Sequence, residues 1–194
     1  QGTTYYTWVK DAAGNVSASK STATGKVTNL TKADLDFTYE PSATWTNSDV
    51  KVTVKPKIDI GNYKIRTSKD GKTWETTNTQ TFSSNGQMYV ILWDGTNYGA
   101  SAATAVGSID KNKPVISSAT ATSNAITIKA TDDASGIVGY AITTSTTQPT
   151  QFTSVASTKD FNNTFTGYKQ GTTYYTWVKD AAGNVSASKS TATG

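Results

Sequence analysis

The residue types that carry most protein chemistry are thin in this sequence. Neither cysteine nor histidine occurs among its 194 residues. That excludes disulfides and thiolate metal sites, along with the commonest general base and imidazole ligand. What remains is acidic. Asp132 and Asp133 stand together before Ala134-Ser135-Gly136. Two adjacent carboxylates offer oxygens to a cation, but calcium takes roughly six to eight and this loop supplies few. The other reading, a solvated turn whose Asp side chains accept loop amides, suits the residue set better, so no metal and no cofactor is expected. Asp94, Asp180 and Asp11 each end an apolar run just before a turn. A carboxylate there either meets a ligand or fixes the hairpin by accepting backbone amides, and the structural role is preferred. No pair of carboxylates sits in a polar framework, so no catalytic residue is assigned.

Aromatic side chains offer a second chemistry, since exposed rings stack on sugars. Trp177 with Tyr175, and Trp8 as the copy of Trp177, are the candidate ligand-binding residues, whereas Trp45 and Trp74 are expected at a core or its edge. By parity with Met88, Val90 and Leu92, Tyr174 and Val178 should face inward and Trp177 partly outward. Charge adds no further class. The net charge of +4 is spread without basic runs, which falls short of a nucleic-acid footprint. No apolar stretch approaches the ~20 residues that cross a bilayer as a helix.

These residues need strands to hold them. Threonine makes up about one residue in five, and Thr, Tyr, Val and Ile favour extended chain. Val50, Val52 and Val54 alternate with Lys51 and Lys55 until Pro56, which cannot donate to a ladder. The Asp70-Gly71 pair predicts a tight turn joining residues 62–68 to 73–77. Further strands are expected at 87–93, 101–106, 126–130, 137–144 and 161–166. A final hairpin of 174–179 and 185–190 should turn at Ala182, Gly183 and Asn184. The pattern is all-β, with no convincing helical period.

Organisation comes from an internal repeat. Residues 1–25 and 170–194 are identical letter for letter, QGTTYYTWVKDAAGNVSASKSTATG, at a spacing of 169. Packing alone tolerates many volume-conserving swaps, so full identity points to recent duplication. A weaker similarity relates Tyr89–Asn97 to Tyr175–Gly183. The expected layout is a hairpin at 1–25 left from a preceding repeat, then two small domains at 26–109 and 110–194. Ile109–Pro114 is the joint between them.

Four motifs lend the chain a resemblance. They are the Val178–Ser186 ending, the Ser68–Trp74 hairpin, the Asp132–Ile137 loop and the Ile109–Pro114 junction. Taken together, in the order in which they occur along the chain, they resemble the bacterial immunoglobulin-like domains of Gram-positive surface proteins. The first domain departs in its last turn, reading Asp94-Gly95-Thr96-Asn97. The resemblance implies tandem immunoglobulin-like, fibronectin III-like β-sandwiches in an extracellular, non-catalytic stalk or adhesin at the cell surface or wall. The expected partners are neighbouring repeats. Strand-swapped or filamentous self-association through residues 1–25, and a host glycan or protein, are also expected possibilities. Nucleic acid and membrane insertion are not. The rival functions are a weak multivalent binding module and an accessory domain of a large secreted glycosidase. Ser68–Trp74 also resembles the Asp-box of sialidases, one residue short, which in that family is a structural hairpin.

Overall fold

The structure is a computed structural model that describes residues 4–23 and 30–194. The expected boundary between Gly25 and Lys26 lies outside the described residues. The chain divides into two compact units, one within 1–42 and 50–107 and the other of 43–49 with 108–194. The segment 43–49 thus belongs with the second unit. Thr46 trades backbone hydrogen bonds there with Ser108 and Asp110, each 2.9 Å long.

The first unit opens with a two-stranded hairpin, β1 (Thr4–Thr7) and β2 (Lys20–Ala23). It continues with β3 (Leu35–Glu40), β4 (Val50–Pro56), β5 (Lys64–Ser68), β6 (Thr79–Phe82), β7 (Gly86–Trp93) and β8 (Tyr98–Val106). Strands β3-β4-β6 form one sheet and β5-β7-β8 another. Alternation works as the sequence predicts: Val50, Val52 and Val54 from one sheet and Met88, Val90 and Leu92 from the other are fully buried. Two polar links cross between the sheets. Tyr39 Oη and Thr104 Oγ1 lie 2.8 Å apart, and Gln80 Nε2 donates to Thr67 Oγ1 at 3.0 Å.

One expected pairing fails. Residues 62–68 do not form a ladder with 73–77; the ladder that β5 forms, on its other edge, is with β7. The turn leaves a single bridge between Thr67 and Glu75. The cause is local: side chains inside the turn take the amides that a ladder would need.

The second unit contains β9 (Val115–Ala121), β10 (Ala125–Thr131), β11 (Ile137–Thr143), β12 (Thr153–Thr158), β13 (Asp160–Thr166), β14 (Thr173–Asp180) and β15 (Lys189–Ala192). Sheet β13-β10-β9 faces sheet β12-β11-β14-β15. Ile126, Ile128, Ala130 and Phe161 from the first meet Ile137 and Val178 from the second in one buried cluster. The final strand is shorter than expected. Val185 makes only an isolated bridge to Lys179, because Ser186 Oγ accepts the Val178 amide at 2.9 Å where a backbone carbonyl would otherwise serve. Each unit is a β-sandwich, and the described chain is all-β apart from a 3-10 turn at Lys32–Asp34.

Candidate functional site

The densest polar chemistry lies in the second unit, where three chain segments converge. Asp180 ends β14, Asp132 follows β10, and Asp110 begins the segment leading to β9. All three are buried, at 0 %, 5 % and 2 % exposure. One carboxylate oxygen from each lies within 4.8 Å of the others. The donors that meet them are neutral. Asp180 accepts the Asn184 amide at 2.8 Å on one oxygen and Asn184 Nδ2 at 2.7 Å on the other. Asn184 Nδ2 also donates to the Asp110 carbonyl at 2.9 Å. Asp110 accepts Ser135 Oγ at 2.6 Å and the amides of Ser135 and Asn112. Asp132 accepts the Gly136 amide at 2.6 Å.

This arrangement ties the entry of the unit, the 132–136 loop and the terminal turn into one knot. Chemically, Asp110, Asp132 and Asp180 are the residues that could present oxygens to a cation. Calcium uses roughly six to eight; the three carboxylates accept six hydrogen bonds, from amides and one hydroxyl, which leaves part of their lone-pair capacity, about four sites per carboxylate, unused by these bonds. The sequence pairing of Asp132 with Asp133 is corrected: Asp133 is exposed and outside the cluster. Asp110 and Asp180 join Asp132 only through folding, so no local spacing could have revealed them. Burial pushes the Asp180 carboxyl above its usual range, and the negative charges of Asp110 and Asp132 push the same way. The Asn184 hydrogen bonds oppose them.

The identical residues of the first hairpin form the same turn without that setting. Asp11 accepts the Asn15 amide at 2.8 Å and Asn15 Nδ2 at 2.7 Å. Ser17 Oγ takes the Val9 amide at 2.9 Å. The Asp11 carboxyl is nevertheless held below its usual range, led by the Asn15 side-chain hydrogen bond. The same hydrogen bonds therefore give opposite shifts, and burial decides the sign.

The expected ligand-binding aromatics divide along the same line. Trp177 is 5 % exposed, which overturns its expected outward position. It packs with Ala141 and Val185, beside Phe152 and Tyr175, and Nε1 donates to Thr143 Oγ1 at 3.2 Å. Phe152 reaches this outer face over Gly139, where an added Cβ would meet the Phe152 Cβ at 3.2 Å. Val178 is fully buried and Tyr174 half-buried, as expected. Tyr175 is half-buried. Trp8 remains 58 % exposed, its ring 6.4 Å from that of Tyr6.

The turns of the first unit are built by side chains. Asp70 accepts the amides of Thr73 and Lys72 at 2.7 and 2.8 Å, and Ser68 Oγ accepts those of Asp70 and Gly71. Gly71 turns with φ of 70°. These bonds, the Thr73 and Lys72 amides foremost, hold the Asp70 carboxyl far below its ordinary value. Asp94 accepts the amides of Thr96 and Asn97. Its turn closes one residue earlier than the Asp180–Asn184 turn, the departure that Asp94-Gly95-Thr96-Asn97 suggests. The sequence did not single out the Arg66 cluster. That guanidinium lies 4.9 Å from the Trp93 ring centre and donates to Tyr98 Oη and to the Trp74 carbonyl.

No family model matches the sequence, and no curated protein sequence matches it. Solved structures do. The chain is similar to domains A168–A170 of titin, with a TM-score of 0.44 and 11% identity over 100% of this chain and 73% of that one. It is similar to the chicken CNTN1 FN1–FN3 domains, with a TM-score of 0.39 and 16% identity over 96% and 76%. The fibronectin(III)-like modules of Clostridium thermocellum CbhA give a TM-score of 0.35 and 13% identity over 81% and 93%.

Proposed function

We propose that this chain is a non-catalytic structural segment of an extracellular bacterial surface stalk or adhesin of the Gram-positive type. In this reading the period of the array is a two-domain unit, and the array projects another domain from the cell surface or wall. The observation that carries it is the exact 25-residue repeat at a spacing of 169, a spacing that accommodates two β-sandwich units. A sandwich that buries its own core can be added to a string without disturbing its neighbours, so copy number sets reach. The four-motif resemblance to Gram-positive surface domains supports the setting.

The rival reading, a weak carbohydrate- or host-protein-binding module, loses its leading residue in the second unit because Trp177 is buried. Chains carrying one, two and three 169-residue periods test the stalk by small-angle scattering. The maximum dimension should rise by a constant increment, on the order of 60–80 Å per period from strand rise. A dimension that levels off as periods are added would sink the reading.

A further inference from the structure

A main chain can react with its own side chains, and one dipeptide of this sequence is arranged for it. Asparagine is among the thermolabile residues. Twelve occur here, and Asn85 is the one that glycine follows. The nitrogen of the following residue lies one bond beyond the asparagine carbonyl, so its bond to Cγ closes a five-membered ring. Glycine carries no Cβ to crowd that approach.

The structure places the pair where such a ring has room to form. Residues 83–85 connect β6 to β7 as a run of bends, and residues 83–87 are all exposed. The flanking ladder pairs are Phe82 with Val50 and Gly86 with Val106, so the connection belongs to neither ladder. The fold does not demand glycine at 86. Its backbone is outside the left-handed region, and an added Cβ would meet the Phe82 ring at an ordinary 3.6 Å. Two Asp-Gly pairs supply the contrast. Gly71 and Gly95 turn with φ of 70° and 103°. Asp70 and Asp94 before them each hold one oxygen on the amides two and three residues further on. An ionised carboxylate has no leaving group to give up to an attacking nitrogen, whereas a neutral carboxamide has one.

We propose that Asn85 is a site of spontaneous, enzyme-free modification, converted through a cyclic imide into aspartate and isoaspartate. The Gly86 nitrogen gives its proton to hydroxide and bonds to Asn85 Cγ. The Cγ–Nδ2 bond breaks, and Nδ2 leaves as ammonia with a proton taken from water. Water then opens the imide. Opening at Cγ gives aspartate, and opening at the main-chain carbonyl carbon gives isoaspartate, with the chain continuing through Cγ. The net change is one water taken up and one ammonia released. The new carboxylate adds one negative charge to a chain of net charge +4. The extra main-chain carbon of isoaspartate falls between the two ladders, so both products keep the sandwich. This inference goes beyond the stalk reading and does not depend on it.

The test is to hold the folded chain at mildly alkaline pH and map its peptides by mass at intervals. The exchange of carboxamide for carboxyl should appear at Asn85 before any other asparagine, as two separable peptides of one mass. A form one charge more acidic should grow in step on ion exchange. Gly86→Ala should slow the conversion by about tenfold, because its Cβ crowds the attacking nitrogen. Asn85→Gln should remove the early acidic form, since its ring would be one atom larger. A synthetic peptide of residues 81–90 gives the rate without the fold, and the folded chain should react within about tenfold of it. Asn85 left intact in the folded chain while the peptide converts overturns the proposal, as does an earlier change at another asparagine. So does a Gly86→Ala chain that reacts as fast, because direct hydrolysis needs no imide.

Discussion

Position 178 is fully buried and position 9 is three-quarters exposed, yet both are valine with the same neighbours in sequence. The pair isolates what burial contributes, since propensity, flanking residues and turn chemistry are held constant. Val178→Ala removes two methyl groups from a cluster built of Ile126, Ile128, Ile137 and Phe161 and leaves a cavity. It should cost the second unit about 2–3 kcal/mol, from lost transfer and cavity terms together. Val9→Ala should change stability by less than about 0.5 kcal/mol. Thermal unfolding of the two variants side by side checks this. Equal shifts would mean that the first hairpin is covered after all.

At the level of elements, the strongly alternating strands were legible in the sequence and the threonine-rich ones were not. Val50–Val54 and Met88–Leu92 announce their inner face because every second residue is apolar and the partner sheet is too. Strands β6, β9 and β12 have weaker contrast between faces, and their pairing is set by the sheets they join, whereas β3 alternates Leu35, Phe37 and Tyr39 with Asp36, Thr38 and Glu40 and its signal was there to be read. Trp177 shows the limit of parity. Three consecutive residues of β14 are buried, because Phe152 and Val185 cover the outer face as well, and nothing near Trp177 in sequence signals Phe152. The acidic knot was half legible. Asp180 was read as a turn-fixing carboxylate, but its meeting with Asp110 and Asp132 depends on three segments converging. Gly136 lies where that knot meets β11. It has φ of 81°, its amide is held by Asp132, and an added Cβ would stand 2.7 Å from Ser157 Oγ. Gly136→Ala should therefore destabilise the second unit by about 1–3 kcal/mol through backbone strain. Denaturant unfolding followed through the Trp177 indole N–H signal in NMR reads that unit, and an unchanged midpoint would contradict the strained turn.

Across the whole molecule, the two units carry carboxyls displaced in opposite directions, so acid should act on them with opposite signs. The Asp180 carboxyl in the second unit is raised in the folded state, chiefly by burial. The folded unit thus holds a proton that the unfolded chain releases, over the range between the ordinary value of 3.8 and the raised one. Stability falls as pH climbs through that window, and the cost is fully present above it. The Asp70 carboxyl in the first unit is lowered by the amides of Thr73 and Lys72. Its contribution is present above 3.8 and is lost as pH drops further. Acidifying from neutrality should first strengthen the second unit and only then weaken the first. Residue-specific NMR at each pH, with denaturant, separates the two through the Trp177 and Trp93 indole signals. Asp132→Asn keeps a carbonyl oxygen for the Gly136 amide while deleting one of the charges that face Asp180. It should move the Asp180 titration back toward the ordinary carboxylate range and flatten the rise in the second unit. Asp70→Asn should leave that rise intact and remove part of the low-pH loss in the first. If the second unit instead weakens steadily from neutral pH downward, and Asp132→Asn leaves the Asp180 titration in place, the acidic knot is open to solvent and does not hold the three carboxylates together.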